Sequence, residues 1–545
     1  MNTTNVGDLV AHFLKTQGVK RTFSIISVHN IPIMDGIARA GGIDVVMTRG
    51  EMGGAHMADA CARVTGELGV LISSTGPGAA NAVSGLLEAE FAGTPLLHIT
   101  GQVPRQFLGR DTGATHNVKD QLGMMASVCK AAFRIHTAEQ ACGVLRQAAQ
   151  LALTAPMGPV SVEIPIDVQK TAIDLPADNT PVTALPLPTA SEESLDALAQ
   201  GVLSAKRPML WVGRGAIDCG PQLRQLLDEG FAMVSSWAGR GIVPEDDPRT
   251  LAGLNGTGAP DVVKFYETVD LMLVVGSRMR GQETVDQSLA VPARRIQIDA
   301  NPLAQGRTYS SEQFVCGDAR QVLDGLLQRI RGKLQVAPGY QAEFAQLKAT
   351  ARAAFKETLG PYASFPEQLR AVLPRDCLWV RDITVANSTW GNRLFEVYGP
   401  RDAVHPVGAG IGQGLPLGIG AACAAGGRKT VVLSGDAGFI MNVGELWTAV
   451  QEKLDLLCIV MNDAGYGVIK HMQDAGFGGR RVYGDLLPPN FEALAQAVGM
   501  RYAKVTQAER FGETVAQMLT HKGLALVEVD MKVIGEAPPY FPYRK

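Results

Sequence analysis

The sequence TVVLSGDAGF at residues 430–439 places a short apolar run directly before a Gly-Asp-Ala-Gly-Phe motif. The length and β-branched composition of the run predict a buried strand. A second apolar run at residues 456–461, LLCIVM, predicts the next strand, and the segment that begins at Glu445 has the apolar spacing of a helix. A strand, a helix and a second strand in this order predict a parallel βαβ unit. Both strands then end at the same edge of a sheet, where open α/β sheets bind their ligands.

An acidic residue follows each of the two predicted strands. Asp436 comes directly after the first strand, and Asp463 follows the second in the sequence NDAGYG at residues 462–467. Proteins usually hold Mg²⁺ with one or two carboxylates together with phosphate oxygens of a bound molecule. Gly435 and Gly438 allow the backbone to come close to such phosphates. The two motifs predict a magnesium site shared with the phosphates of a ligand; a simple Gly-Asp turn at a strand end is the alternative for the first motif taken alone.

Length and composition indicate a large enzyme of several domains. A chain of 545 residues exceeds what one hydrophobic core usually supports. The net charge of −3 gives no electrostatic reason to expect nucleic acid or an anionic membrane as partner. Because the chain has no charged and apolar leader and no apolar run of membrane-spanning length, we expect a cytoplasmic protein. The eight cysteines form no metal or CxxC spacing, so we expect reduced, mostly buried thiols.

Alternating strand-like and helix-like segments predict an α/β protein with three doubly wound parallel-sheet domains. A linker with four prolines separates the first domain from the second, and a charged helical segment precedes the third. The predicted segments are a first domain, a linker, a central domain, a second linker, and a last domain with a C-terminal tail, at residues 1–170, 171–192, 193–335, 336–363 and 364–545. Apolar runs predict strands of the central domain at residues 209–212, 232–235, 271–275 and 295–298.

A second group of motifs lies in the first domain. Glu51 is followed by HMADACARVTG from residue 56, SSTGPGAANAVSGLLEA from residue 73 and TPLLHITGQVP from residue 94. Together with the two acidic motifs, this order resembles the acetolactate synthase, pyruvate oxidase and 2-oxo acid decarboxylase family of thiamine diphosphate enzymes over nearly the whole chain. The resemblance implies a pyrimidine-binding first domain, a central domain like nucleotide-binding domains, and a diphosphate-binding last domain.

The resemblance also implies roles for single residues. Glu51 would bond the aminopyrimidine ring of thiamine diphosphate, so that the exocyclic nitrogen deprotonates the thiazolium carbon. Asp436, Asp463 and the backbone carbonyl of Gly465 would hold Mg²⁺, and Ile411 would support the bent form of the cofactor. Further implied cofactor contacts are Gly76, Pro77, Gly78, Gly410, Gly435, Ala437, Gly438, Tyr466 and Gly467. From the residues alone, Glu51 is equally an acid favoured by a helix N-terminus, and Ile411 a core side chain.

The sequence departs from these relatives near the cofactor. Many of them carry Asn where this chain has Asp463, which adds a negative charge beside the diphosphate. The segment RDITVAN at residues 381–387 stands where relatives often carry a Gly-Gln-His group. The contacts that this group makes with the diphosphate are therefore not predicted for this chain.

Three polar residues are candidate catalytic groups on the substrate side. His29 lies in the loop SIISVHN at residues 24–30, which lacks the acid or serine that several decarboxylases place beside the thiazolium. His116 and Asn117 stand where acetolactate synthases have Phe-Gln and pyruvate decarboxylase types have two histidines. An imidazole titrates near neutrality and suits proton transfer, whereas a hydrogen-bonded loop histidine without a catalytic role is the alternative.

The resemblance implies a thiamine diphosphate- and Mg²⁺-dependent carbon–carbon lyase or ligase that acts on a 2-oxo acid, like acetolactate synthase. Decarboxylation of a bulkier 2-oxo acid, or acyl-CoA lyase action, without ligation is the alternative, and a non-catalytic paralogue that binds the cofactor is a third. Glycine turns at residues 212–215 and 275–278 are weak candidates for phosphates of FAD or ADP. A homodimer or homotetramer with active sites at the subunit interface is implied, without nucleic acid or membrane partners.

Overall fold

The computed structural model describes residues 4–178 and 180–539 and contains three six-stranded sheets. The strands of the first sheet are β1 (Arg21–Ser24), β2 (Asp44–Met47), β3 (Gly69–Ser73), β4 (Leu96–Gln102), β5 (Ala131–Arg134) and β6 (Pro159–Pro165). They are parallel and lie in the order β2-β1-β3-β4-β6-β5. The helices of this part are α1 (Val6–Thr16), α2 (Ile31–Ala40), α3 (Glu51–Thr65), α4 (Pro77–Ala92), α5 (Gln121–Ala126), α6 (Ala141–Leu153) and α7 (Ile166–Gln169). The strand order reverses between β1 and β3, so a ligand crevice is expected there.

The central sheet contains the four strands that the sequence predicts. Its strands are β7 (Pro208–Val212), β8 (Ala232–Ser235), β9 (Thr250–Ala252), β10 (Leu271–Val275), β11 (Arg295–Asp299) and β12 (Gln313–Cys316). They are parallel in the order β12-β11-β10-β7-β8-β9, with the reversal between β10 and β7. The helices are α8 (Glu192–Leu203), α9 (Gly220–Asp228), α10 (Pro260–Tyr266), α11 (Gly281–Thr284), α12 (Ala319–Ile330) and α13 (Tyr340–Glu357).

The last sheet repeats the strand order of the first. Its strands are β13 (Leu378–Arg381), β14 (Ala403–Val404), β15 (Thr430–Gly435), β16 (Leu456–Asn462), β17 (Arg501–Val505) and β18 (Leu524–Asp530), in the order β14-β13-β15-β16-β18-β17. The helices are α14 (Phe365–Val372), α15 (Gly414–Cys423), α16 (Asp436–Met441), α17 (Leu446–Gln451), α18 (Gly467–Gly476), α19 (Phe491–Ala497), α20 (Phe511–Leu519) and α21 (Met531–Ile534). The predicted strands β15 and β16 are confirmed. The helix predicted from Glu445 is shorter than its apolar pattern and ends before Lys453, whose φ of +52° is left-handed.

The central strands of each sheet are buried along their whole length. Every residue of β3, β7, β10 and β15 is buried. Because helices cover both faces of a parallel sheet, neither face of such a strand needs polar side chains. This is why these strands appear in the sequence as uninterrupted apolar runs, and the α/β class with three parallel-sheet domains is confirmed.

Packing divides the chain into two compact units. The first unit contains residues 1–186, 404–430 and 439–456, and the second contains 187–403, 431–438 and 457–545. Helices α15 and α17 therefore belong to the first unit, although they follow the central domain in sequence. The domain boundaries predicted from the sequence stay a prediction.

Within the first unit α15 packs closely against α3, because Gly420 leaves room for the backbone of Met57; a Cβ atom at Gly420 would lie 2.2 Å from the Met57 carbonyl oxygen. No helix in residues 4–178 and 180–539 is long and apolar enough to cross a membrane. All eight cysteines are free, and each is buried or half-buried.

Candidate active site

The edge of the last sheet brings together the residues of the predicted metal site. Asp436 begins α16 directly at the end of β15, and Asp463 follows the neighbouring strand β16. The Asp436 side chain is buried, and its Oδ2 accepts a hydrogen bond from the backbone N–H of Gly465 at 3.1 Å. Its other oxygen, Oδ1, is buried without a hydrogen-bond partner in the part of the chain that the structure describes. An unpaired buried carboxylate oxygen is costly, so this atom is suited to a cation.

The charges of the two carboxylates also favour a cation. Burial, followed by the adjacent charge of Asp436, raises the pKa of Asp463 to about 7, and burial raises the pKa of Asp436. Among the described residues no group of three or more His, Cys, Asp or Glu side chains converges on a metal position. A site with two carboxylates fits Mg²⁺, which is commonly shared between protein carboxylates and the phosphates of a ligand.

Glycines are required where the loop at residues 463–467 packs tightly. A Cβ atom at Gly465 would lie 2.1 Å from the carbonyl oxygen of Gly484, and one at Gly467 would lie 2.2 Å from Asp463 Oδ2. Tyr466, between them, donates its backbone N–H to the carbonyl of Gly484 at 2.8 Å. The loop therefore has little freedom to change its shape.

Lys470 and the segment around Asp485 support this loop, and sequence reasoning missed both. The Lys470 ammonium lies 2.9 Å from Asp485 Oδ1 and 3.4 Å from the carbonyl oxygen of Asp463, to which it donates. The backbone N–H of Leu486 donates to the carbonyl of Ala464 at 2.9 Å. These contacts join segments about twenty residues apart, and no motif in the sequence marks them.

The segment that lacks the Gly-Gln-His group leads into a backbone kink at Thr389, which has a non-helical φ of −109° and ψ of −108°. Arg381 is buried and donates from Nη1 to the side-chain oxygen of Asn387 at 2.6 Å. Thr384 lies next to Gly435, since a Cβ atom there would be 3.1 Å from Thr384 Oγ1. Because β13 and β15 are neighbours at the reversal of strand order, Thr384 is a candidate diphosphate contact that the sequence did not suggest.

In the first unit, Glu51 and the Gly76-Pro77-Gly78 turn lie together, as the resemblance implies. Glu51 is buried at the start of α3, and its Oε2 accepts a hydrogen bond from the Asn81 side chain at 3.2 Å. A Cβ atom at Gly78 would lie 2.6 Å from Glu51 Oε1. Gly76 has a left-handed φ of +57°, and Pro77 begins α4. Asn81 was not predicted, although it lies one helical turn after Pro77.

The two candidate histidines are neighbours. The rings of His29 and His116 have their centroids 5.2 Å apart. Burial, and then the neighbouring His116, lower the pKa of His29. His116 has a left-handed φ of +66°, and its carbonyl oxygen would lie 2.0 Å from a Cβ atom at Gly76. Asn117 instead donates to the carbonyl of Arg110 in its own loop at 3.3 Å, so its catalytic role stays a prediction.

The loop that contains Gly410 and Ile411 also belongs to the first unit. The Ile411 side chain is 39% exposed, which does not fit the alternative of a core isoleucine. The loop is held from its far side because Asn442 donates to the carbonyl of Gly412 at 2.6 Å. A Cβ atom at Gly410 would lie 2.1 Å from the side chain of Gln413. The loop therefore presents an apolar side chain on a restrained backbone.

The glycine turns of the central sheet are used within the protein. Gly213 donates its N–H to Val275, Gly215 donates to Gly276, and Gly276 donates to Ile298, each at 2.9 Å. A Cβ atom at Gly213 would lie 2.3 Å from the carbonyl oxygen of Gly276, so these glycines allow two loops to pack against each other. These three amides are thus bonded within the protein, and FAD binding stays a prediction.

Comparisons with known proteins agree with this geometry. Residues 4–124, 195–326 and 384–529 match the N-terminal TPP binding domain, the central domain and the C-terminal TPP binding domain of thiamine pyrophosphate enzymes. The chain is 31% identical to the probable 2-ketoarginine decarboxylase AruI of Pseudomonas aeruginosa, over 97% of this chain and 94% of the relative. It is 28% identical to the acetolactate synthase isozyme 3 large subunit of Escherichia coli, over 99% and 96%, and 30% identical to acetolactate synthase of Arthrospira platensis, over 95% and 92%. By these matches over nearly its whole length, the chain belongs to the thiamine pyrophosphate enzymes.

Proposed function

We propose that this protein is a thiamine diphosphate- and Mg²⁺-dependent carbon–carbon lyase or ligase that acts on a 2-oxo acid, like acetolactate synthase. The observation that carries the proposal is the pair Asp436 and Asp463 beside Gly465, with a buried carboxylate oxygen that has no described partner. A non-catalytic paralogue is disfavoured because Glu51 and both carboxylates are all present.

The proposal gives the protein's own residues distinct tasks. Asp436, Asp463 and the carbonyl of Gly465 hold the metal, and the bound cofactor supplies the electron sink for carbon–carbon cleavage. Asn81 orients the carboxylate of Glu51 through the hydrogen bond at 3.2 Å, so that it faces the cofactor ring. Ile411 supports the cofactor with its exposed apolar side chain.

His29 and His116 are proposed to hold the proton that passes to the substrate. Burial lowers the pKa of His29, which favours the neutral ring with one N–H donor and one acceptor. The ring of His116 lies beside it, with the two ring centroids 5.2 Å apart.

A second candidate function is decarboxylation of a larger 2-oxo acid without ligation. It is favoured by the relative named 2-ketoarginine decarboxylase and by the neighbouring rings of His29 and His116, which suit proton transfer. Under this proposal the histidines would supply a proton to the carbon that has lost CO₂, before a second carbonyl compound reacts there.

Product analysis distinguishes the two candidates. The protein is incubated with thiamine diphosphate, Mg²⁺ and, separately, pyruvate, 2-oxobutanoate and 2-oxo-5-guanidinopentanoate, with CO₂ and ligation products measured independently. Acetolactate from pyruvate supports the first candidate, whereas CO₂ from a larger acid without a ligation product supports the second. Cofactor binding without any turnover would favour a non-catalytic paralogue, and no cofactor binding would refute the proposal.

We also propose a homodimer or homotetramer with active sites at the subunit interface, as the resemblance to thiamine diphosphate enzymes implies. Sedimentation velocity measures the oligomeric state, and loss of activity on dilution tests whether the site needs two subunits. An absorbance spectrum of the purified protein tests for FAD.

A further inference from the structure

Two buried glutamates of the first unit each accept hydrogen bonds from two consecutive backbone N–H groups. Glu88, on α4, accepts from Val407 at 2.5 Å and from Gly408 at 2.9 Å. Glu445, just before α17, accepts from Arg49 at 3.1 Å and from Gly50 at 2.9 Å. Each carboxylate thus binds the backbone of a segment that is far away in the sequence: Glu88 binds residues 407–408, and Glu445 binds residues 49–50. Paired N–H groups that face one carboxylate form a charge-assisted contact, which is stronger than a neutral hydrogen bond.

The four contacts are related by the repeated fold. In chain order, Glu88 lies between β3 and β4, which are the third and fourth strands of the first sheet. Glu445 lies between β15 and β16, which are the third and fourth strands of the last sheet. The N–H groups that they bind follow the second strand of the other sheet in both cases, at residues 49–50 and 407–408. Since the two sheets share one strand order, the contacts are reciprocal.

Each held segment leads directly into a residue of the proposed cofactor site. Gly50 is the residue before Glu51, and Gly408 comes three residues before Ile411. A displacement of either backbone segment would therefore move the acid or the apolar support. Neither Glu88 nor Glu445 is itself assigned to the cofactor.

The surroundings of both carboxylates are adapted to this contact. Gly53 makes room for Glu445, because a Cβ atom there would lie 2.2 Å from Glu445 Oε1. A Cβ atom at Gly408 would lie 3.1 Å from Glu88 Oε2. Thr448 donates its hydroxyl to Glu445 at 2.6 Å and fixes the orientation of that carboxylate.

A buried arginine supports the Glu88 side. Arg63 donates to Glu88 Oε1 at 2.8 Å, pairs with Asp59 on the same helix, and donates to the carbonyl of His405 at 2.7 Å. All three charged side chains are nearly inaccessible to solvent. Removing one partner of such a network leaves buried charge unpaired, which proteins tolerate poorly.

We propose that Glu88 and Glu445 are positioning residues that form a reciprocal clamp, which fixes Glu51 and Ile411 for the reaction. This inference rests on the proposed function, because it gives the clamp its purpose. Such a clamp affects kcat, the rate at which the bound complex reacts, because small displacements of a reacting group slow catalysis.

The test compares Glu88→Gln and Glu445→Gln with Glu283→Gln. A glutamine presents an NH₂ group to one of the two backbone N–H groups, so the clamp loses an acceptor while the side-chain size is kept. Glu283 is the matched control, because it is a buried carboxyl of the central domain that accepts the backbone N–H of Trp237. Thr448→Val is a milder variant that removes only the hydroxyl bound to Glu445.

At saturating cofactor and substrate, we expect kcat of each clamp variant to fall by about 10- to 100-fold, with KM changed less than about threefold. Thr448→Val should show a smaller fall in kcat at an unchanged Tm, and Glu283→Gln should lower Tm without changing kcat per folded molecule. Unchanged kcat in the folded clamp variants, or in Thr448→Val if the others do not fold, overturns the clamp. A wild-type protein that binds no thiamine diphosphate overturns the proposed function instead.

Discussion

Binding of Mg²⁺ should depend on pH through Asp463. Burial and the charge of Asp436 raise the pKa of Asp463 to about 7 in the metal-free protein. The metal binds the ionised carboxylate, so below this pKa a proton must leave before the ion can enter. The carboxyl therefore weakens metal binding as the pH falls, and it has little effect above its pKa.

The magnitude follows from the position of the pKa. For one displaced proton, the apparent Kd for Mg²⁺ rises about tenfold for each pH unit below about pH 7. Binding should release about 0.9 proton near pH 6 and about 0.1 proton near pH 8. The comparison is made at saturating thiamine diphosphate, whose own phosphate protonation is the same for every variant.

Asp463→Asn is the matched variant, because it keeps an oxygen ligand and removes the titrating group. Isothermal titration with Mg²⁺ in buffers of different ionisation enthalpy gives both the Kd and the number of protons released. The wild type should show the full pH dependence, and Asp463→Asn only the part due to Asp436 and the cofactor phosphate. Equal proton release by the two proteins near pH 6 would refute the argument that Asp463 holds the displaced proton.

Three further outcomes follow from the site. Glu51→Gln should bind thiamine diphosphate with a Kd within about threefold of the wild type, as measured by cofactor titration. Its turnover in steady-state kinetics should fall by at least about 100-fold, because a neutral amide cannot promote the proton transfer. Equal turnover would contradict the role of Glu51. Gly467→Ala should weaken cofactor binding by about tenfold or more, since its Cβ would lie 2.2 Å from Asp463 Oδ2, whereas Gly476→Ala, which meets no atom within 4 Å, should not. Because the folded-state pKa of Asp463 is raised, the metal-free protein should lose stability as the pH rises from about 4 to about 7. Asp463→Asn should therefore raise Tm near pH 8 more than near pH 5. An equal rise in Tm at both pH values would argue against a buried charge at Asp463.

Most of the correct predictions came from patterns among residues that are close together in the sequence. Strands β15 and β16 are buried on both faces, so their apolar runs were distinct, and a parallel sheet places the residues after them at one edge. The predicted order of strand, helix and strand therefore placed Asp436 and Asp463 at the same edge of the sheet. The same local patterns did not reveal that α15 and α17 pack with the first sheet, because nothing in an apolar helix face specifies its partner.

The remaining site residues depend on contacts that no local pattern records. Glu88 and Glu445 bind backbone N–H groups 319 to 396 residues away, and every residue except proline offers such a group. Thr384 faces Gly435 only because β13 lies beside β15 at the reversal of strand order. These positions follow from topology, which a single sequence specifies only through the fold as a whole.

The first and last sheets share one strand order, but the side chains at their equivalent positions differ in chemistry. After the second strand of the first sheet and of the last sheet, a clamped backbone segment leads to a residue of the proposed site, but one segment carries the acid Glu51 and the other the exposed apolar Ile411. Two equal scaffolds thus present unequal side chains, as a proton-transfer group and a steric support require. The reciprocal clamp is consistent with a duplicated domain whose halves keep their backbone contacts while the presented side chains differ. The chemistry of the site therefore has to be inferred from the residues at these positions, since the fold is the same at both.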